Sequence, residues 1–201
     1  MTRRDLITRI ERSGPVPDEV GRILRALPEW FGIEQAIDDY VEAARTLRTY
    51  VAREDPGETP GGGLGDTTSD PGHDPGATGS EFPGAGRGRI VGVCLVERHS
   101  EHSSEIHLLA VAREHHRRGI GRALMQRAEL DLAREGQEYL QVKTLGATHP
   151  SSEYAATRRF YQALGYRALQ EFPADAFWPG NPCLLMIKAL HAVGGEHPRT
   201  T

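Results

Sequence analysis

The stretch Arg117-Arg118-Gly119-Ile120-Gly121-Arg122 sets three guanidinium groups around two glycines. A valine-ended strand pattern stops just before it at Val111. A helix is predicted over 119–135, with Ile120, Leu124, Ala128 and Leu132 spaced by four and Gly136 as its terminator. The first turn of a helix presents backbone N–H groups without intrahelical partners, at the positive end of the helix dipole. Gly119 and Gly121 lack side chains, so a diphosphate can approach those amides closely, and Arg117, Arg118 and Arg122 add charge around it. Two other phosphate-binding patterns fail here. A P-loop needs Gly-Lys-Ser/Thr after four intervening residues, and a dinucleotide fingerprint needs a third glycine after the first strand of a βαβ unit.

The loop instead resembles that of the GNAT superfamily of acyl-CoA-dependent N-acyltransferases, which reads Arg/Gln-x-x-Gly-x-Gly/Ala after a strand ending in valine. Here the first position is His116, a departure from the pattern. A second segment, Phe160-Tyr161-Gln162-Ala163-Leu164-Gly165-Tyr166, is similar to the Leu/Phe-Tyr-x-x-x-Gly-Phe motif of the same family. The two lie about forty residues apart with a predicted strand between them, a combination more specific than either alone. The resemblance runs from about Leu6 to Leu190, leaving out residues 54–88. Val142–Leu145, Tyr154–Arg158 and Asn181–Leu184 look like one bacterial subgroup within it.

Acetyl transfer to an amine requires that the amine lose its proton, the thioester carbonyl be polarised, the tetrahedral intermediate be stabilised and the leaving thiolate be protonated. The resemblance implies Tyr161 as the general acid that reaches the coenzyme A sulfur. It implies Glu105, six residues before Val111, as the general base acting through water. The backbone of Leu109, Ala110 and Val111 looks like the family segment that pairs with the pantetheine arm, an addition of ligand to a splayed strand. Arg117, Arg118, Gly119, Ile120, Gly121 and Arg122 would hold the diphosphate. Tyr154 stands where many relatives carry a cofactor-contacting asparagine. Helical spacing puts Ala156, Phe160 and Leu164 on a buried stripe, and Tyr154, Thr157 and Tyr161 on a face open to ligand. Alternation along the strand puts Glu105, His107 and Leu109 on one face and Ile106, Leu108 and Ala110 on the other, so that His107 can share the proton task. Trp30, Phe31 and Trp178 are candidates to wall the acceptor pocket. His115 and His116 are adjacent and do not form a metal pair on one helical face, so no metal is expected.

These residues need elements to hold them. Val20, Ile23, Leu24 and Leu27 make a helical stripe behind Pro17, and Ile33, Ala36, Ile37, Tyr40, Val41 and Ala44 make a second. Strands are predicted at 49–52, 89–98, 105–111, 139–145, 166–172 and 183–190, with a further helix at 154–164 stopped by Gly165. The element order is β-α-α-β-β-β-α-β-α-β-β, its opening strand left without a span. The fold class is mixed α/β (α+β). The resemblance implies a mostly antiparallel sheet of about six to seven strands flanked by about four helices.

Between Glu54 and Gly88 lie eleven glycines and five prolines, with Leu64 and Phe82 the only large apolar residues. Such a segment cannot bury enough surface to offset its ordering entropy, so it reads as a disordered insertion in a single domain; 191–201 reads as a flexible tail. The insertion holds seven acidic residues against Arg87 alone, so the remaining chain carries 23 basic and 21 acidic residues. The net charge of −4 is therefore local to the insertion, and no electrostatic footprint for nucleic acid remains. Cys94 and Cys183 lie in apolar runs away from the motifs, giving neither a disulfide framework nor an acyl-enzyme. The sequence shows no signal peptide and no membrane span, which predicts a soluble, cytoplasmic protein. The expected function is transfer of an acetyl group from acetyl-CoA to a primary amine of a small molecule or peptide. The alternative is a non-catalytic acyl-CoA-binding or regulatory module. Acceptor, acyl-chain length and oligomeric state, a homodimer included, stay open.

Overall fold

The computed structural model describes residues 8–54 and 88–191. The glycine- and proline-rich insertion, apart from its end residues Glu54 and Gly88, and the tail beyond His191 lie outside the described residues. The elements follow the expected order: β1 (Thr8–Ser13), α1 (Pro17–Arg25), α2 (Glu34–Ala43), β2 (Arg48–Glu54), β3 (Arg89–Arg98), β4 (Ser103–Val111), α3 (Ile120–Arg134), β5 (Tyr139–Leu145), α4 (Ser152–Ala163), β6 (Arg167–Phe172) and β7 (Cys183–Ala189). Seven strands form one sheet in the order β1-β2-β3-β4-β5-β7-β6. Every neighbouring pair is antiparallel except β4 and β5.

Both faces of the sheet carry apolar side chains, and each face has its own helices. On one side Ile120, Leu124, Met125, Ala128 and Leu132 of α3 pack with Val91, Cys94, Leu140 and Val142. Gly92 of β3 admits that approach, because a Cβ there would stand 3.1 Å from Leu124 and 3.2 Å from Ile120. On the other side Val20, Ile23, Leu24, Leu27 and Ile37 from the α1–α2 region cover Val51, Val93, Leu95, Leu108 and Ala110. Pro17 opens α1 at its first position, where a missing N–H costs no hydrogen bond. Ile33 departs from its predicted stripe. It is the extended N-cap of α2 and 62% exposed.

Two expectations about faces fail, each for a local reason. In β4 the register with β3 shifts between the pairs Leu95–Leu108 and Val96–Ile106, which leaves His107 as an extra residue. A bulge of this kind resets the alternation. Ile106 and Leu109 therefore share the α3 face, whereas Leu108 and Ala110 pack toward α1 and α2. Leu109 thus parts from Glu105 and His107. In α4 the buried residue is Tyr161, at 5% exposure, with Leu164 just beyond the helix end, while Ala156 is exposed. The supposed ligand face is the packed face, because α4 lies against β5 and the α1–α2 connection.

Candidate functional site

The loop before α3 forms an open cradle around an uncapped helix N-terminus, a geometry that can hold an anion. Gly119 is the N-cap, at φ 80° and ψ −2°, and no side chain caps the helix. No acidic residue stands in the first turn. By contrast, the Ser151 hydroxyl caps α4 by accepting the Tyr154 N–H at 3.2 Å. Arg117 also takes a left-handed conformation, at φ 59°. Strain of this kind in a non-glycine residue gathers at ligand sites. Arg117, Arg118 and Arg122 are exposed and have no carboxylate partner among the described residues. Ile120 is buried by its side chain, so only its backbone faces the cradle. At Gly121 a Cβ would lie 3.5 Å from Phe160 and 3.9 Å from Val111, which shows how close α4 and the end of β4 come to the loop.

Two histidines brace this loop from beneath. His116 Nε2 stands 2.7 Å from the Val111 carbonyl, which can only accept, so the ring donates from Nε2. Its ring also meets Trp30 edge-on at 5.7 Å. The residue that departs from the family pattern therefore ties the loop to the strand before it. Arg118 donates to His115 Nδ1 at 2.9 Å, so the imidazole proton sits on Nε2, facing Glu54 Oε2 at 3.7 Å.

The second half of the site is a parting of strands. β4 and β5 pair only from Ser103–Tyr139 to Ile106–Val142. Beyond that point Lys143, Thr144 and Leu145 pair with β7 alone, and Leu108–Val111 pair with β3 alone. The backbone of Leu109, Ala110 and Val111 thus has no ladder partner on its β5 side. Arg158 of α4 donates to the Leu145 and Gly146 carbonyls at 2.8 and 2.9 Å, which fastens α4 to the far wall. That anchorage positions Tyr161, whose ring packs edge-on to Phe160 and Tyr166 at 5.3 and 5.7 Å. Its hydroxyl has no hydrogen-bond partner among the described residues, and burial pushes its pKa well above the usual phenol range.

Glu105 is 4% exposed and far from a solvated strand-end carboxylate. Its Oε2 accepts from Lys143 Nζ at 2.6 Å, Gln141 Nε2 at 2.8 Å and His99 Nε2 at 3.0 Å. Burial pushes its pKa upward, but the bonds from Lys143, His99 and Gln141 outweigh burial and hold the carboxyl below the usual range. His107 does not join this group. Its Nδ1 lies 3.5 Å from Glu97, and its ring stacks edge-on with Tyr40 at 5.4 Å.

The remaining predicted residues separate into two groups. Trp30 donates from Nε1 to Thr157 Oγ1 at 3.2 Å, and its carbonyl accepts the Tyr154 hydroxyl at 2.7 Å. The Tyr154 hydroxyl is thus engaged in joining α4 to the α1–α2 connection, and burial raises its pKa to about 12. Phe31 stacks on Tyr40 at 5.8 Å, in the wall that also holds His107. Trp178 stands apart from these residues, in a turn of the β6–β7 connection where it bridges Asn181. Its neighbour Phe177 is the aromatic that reaches the site, with Lys143 Nζ 5.6 Å from its ring centroid. Lys143, His99, Gln141, Tyr40 and Phe177 were missed at sequence level. The period-2 pattern of β5, which places Gln141 and Lys143 together on one face, was the available signal for two of them. An open concavity of about 690 Å³ lies between the β5–α4 and β6–β7 connections, lined by His149, Glu171, Phe172 and Pro182 among others, and none of the predicted site residues lines it. Among the described residues no group of three or more His, Cys, Asp or Glu could hold a metal ion, and no helix is long and apolar enough to cross a membrane.

Comparison with known proteins agrees with this geometry. Residues 81–168 match the family model described as the acetyltransferase (GNAT) domain. An uncharacterised N-acetyltransferase of Chlorobaculum tepidum is 29% identical over 93 residues, which are 46% of this chain and 53% of that protein. The match thus spans about half the length of that relative. The fold is similar to that of a GNAT-family acetyltransferase from Desulfovibrio desulfuricans, with a TM-score of 0.66 at 17% identity over 92% of this chain and all of that one. It is also similar to a GNAT-family acetyltransferase from Elizabethkingia anophelis solved with acetyl-CoA bound, with a TM-score of 0.56 at 17% identity over 91% of this chain and 98% of that one. Residues 81–168 thus match a GNAT acetyltransferase domain, and the seven-stranded sheet with its splayed β4 and β5 and the uncapped helix after them are similar to the fold of GNAT-family acetyltransferases.

Proposed function

We propose that the protein moves an acetyl group from acetyl-CoA to a primary amine by direct attack in a ternary complex. One observation carries this reading: the edge of β4 at Leu109–Val111, which has no strand partner on its β5 side and is bonded there only at the Val111 carbonyl by His116, leads directly into an uncapped helix N-terminus ringed by arginines without carboxylate partners among the described residues. A diphosphate on the α3 amides, with Arg117, Arg118 and Arg122 beside it, directs the attached pantetheine arm along the free strand edge. The thioester then sits where β4 and β5 part, close to Glu105. An N–H of the 109–111 segment polarises the carbonyl and holds the oxyanion of the tetrahedral intermediate.

Glu105 takes a proton from the acceptor ammonium through a water, and the freed nitrogen forms a bond to the carbonyl carbon. Collapse of the intermediate breaks the C–S bond, and the leaving sulfur takes its proton from the Tyr161 hydroxyl. The proton still on the new amide nitrogen restores the tyrosine. Burial keeps Tyr161 protonated throughout the neutral range, which suits a donor. Trp30, Phe31 and His107 contribute to the acceptor wall with Tyr40 and Phe177. The acceptor is a small-molecule or peptide amine met in the cytoplasm, and residues 54–88 interrupt a single catalytic domain.

The test is thiol release from acetyl-CoA against glycinamide, spermidine, kanamycin and an alanine-initiated peptide, with propionyl- and succinyl-CoA alongside. Amine-dependent release that disappears in Tyr161→Phe supports the reading. Measurable coenzyme A binding without release for any amine identifies a non-catalytic acyl-CoA-binding module instead.

A further inference from the structure

The Glu105 carboxylate is bonded unevenly. All three of its hydrogen bonds fall on Oε2, and Oε1 has no partner among the described residues. The shortest bond, from Lys143 at 2.6 Å, crosses the parting strands. Glu105 pairs with Gln141 one step before the last β4–β5 pair, Ile106–Val142, and Lys143 is the first β5 residue beyond that pair. The ion pair therefore spans the closed end of the cleft. Lys143 Nζ also stands 5.6 Å from the centroid of the Phe177 ring, which packs edge-on against Phe172 at 4.9 Å.

We propose that Lys143 is the positioning residue for Glu105: it pins Oε2 across the closed end of the β4–β5 cleft and leaves Oε1 as the one oxygen able to take the acceptor's proton. The inference rests on the assignment of Glu105 as base. A carboxylate with both oxygens free would rotate, whereas one pinned oxygen fixes the direction of the other. Preorganisation of this kind is worth more in a buried site than at a surface, where side-chain entropy and solvent cancel much of an ion pair's effect.

The surroundings define what Lys143 does to the titration of Glu105. His99 faces the carboxylate from the β3–β4 turn, and Gln141 and Lys143 face it from β5. Tyr40 faces it from α2, its phenol raised by burial first and then by the charge on Glu105. Cys183 faces it from β7, its thiol raised by burial and feeling both Lys143 and Glu105. Glu97 and His107 pair with one another nearby. Of the groups bonded to Glu105, Lys143 forms the shortest bond, and a buried carboxylate without it reverts toward the raised pKa of a desolvated acid.

The experiment titrates the Glu105 carboxyl by carbon-13 NMR in the full chain, with its resonance assigned by its loss in Glu105→Gln. In the native protein the midpoint is expected below the usual carboxylate range. Lys143→Met is expected to raise it by about one to two pH units, and Lys143→Arg to return it most of the way. A second readout is the acidic limb of kcat/KM for acetyl-CoA with the fastest amine of the panel above, which should move in the same order. If Lys143→Met does not fold, Lys143→Gln provides the same comparison with a polar side chain. A Glu105 midpoint that stays within 0.3 unit in the charge-free variant, an on-the-order-of-error shift against the range for a lost ion pair, overturns the inference. Unchanged turnover in Glu105→Gln would instead remove Glu105 as base, a separate failure that the titration distinguishes.

Discussion

Replacing Gly119 tests the cradle through a quantity that can be worked from its geometry. At φ 80° and ψ −2° the residue is left-handed, and a Cβ added there would meet nothing within 4 Å. Gly119→Ala therefore introduces no clash, and its cost is the left-handed backbone alone, about 1 kcal/mol. That cost can appear in either of two places. If the free loop keeps its conformation, the free protein loses about 1 kcal/mol of stability and melts about 2–4 °C lower, with coenzyme A affinity unchanged. If the free loop relaxes, stability is retained and affinity drops about fivefold, the equivalent of 1 kcal/mol. The two losses must sum to the same total, and the melting temperature of the coenzyme A-saturated protein reports that sum. Gly119→Asn should lose less, because asparagine tolerates the left-handed region better than alanine. The assay is thermal denaturation with and without coenzyme A, combined with calorimetric titration. If Gly119→Ala matches the parent in all three readings, the left-handed cap does not shape the site and the reasoning is refuted.

Tyr161→Phe should reduce kcat by about 10²–10⁴ while coenzyme A affinity stays within about twofold; a loss confined to affinity would make the ring a packing element only. Tyr166→Phe should raise the melting temperature by a few degrees at most. The Tyr166 hydroxyl is buried without a partner among the described residues, and removing it relieves a desolvation cost of about 1 kcal/mol. A clear drop in melting temperature would show that the hydroxyl has a partner. Glu105 has a folded-state pKa below its unfolded one, so its stabilising contribution is complete above the unfolded value and is lost as pH falls through the depressed folded value. Acid denaturation of Glu105→Gln should therefore show a shallower loss of stability below about pH 4.5, measured by urea midpoints at stepped pH.

Much of this arrangement is legible in the sequence because periodicity and terminators act locally. The stripe Ile120–Leu132 with Gly136 places α3, and the valine-rich run 89–98 places β3. β1 is harder to see, because Thr8–Ser13 has a single large apolar residue, Ile10, and its place comes from pairing with β2 and the Arg53–Glu11 contact at 2.8 Å. The face errors arise from interactions that spacing does not encode. A bulge at His107 depends on the register of β3, and the burial of Tyr161 depends on what α4 packs against. In the site, the loop glycines and arginines were readable because helix ends bind anions by a general mechanism. The surroundings of Glu105 were not, since His99, Gln141 and Lys143 reach it from a turn and from a strand more than thirty residues away in the chain. The departure at His116 was visible in the sequence, but its bond to the Val111 carbonyl required the folded loop.

The central claim is that one ligand lies on both the α3 N-terminus and the free edge of β4. The most direct measurement is an amide nitrogen-15 NMR titration of the full chain with acetyl-CoA. The account predicts that the largest shifts fall on Arg118, Gly119, Ile120, Gly121 and Arg122 and on Leu109, Ala110 and Val111, both groups moving along one saturation curve. Saturable binding that leaves both segments unmoved would contradict it.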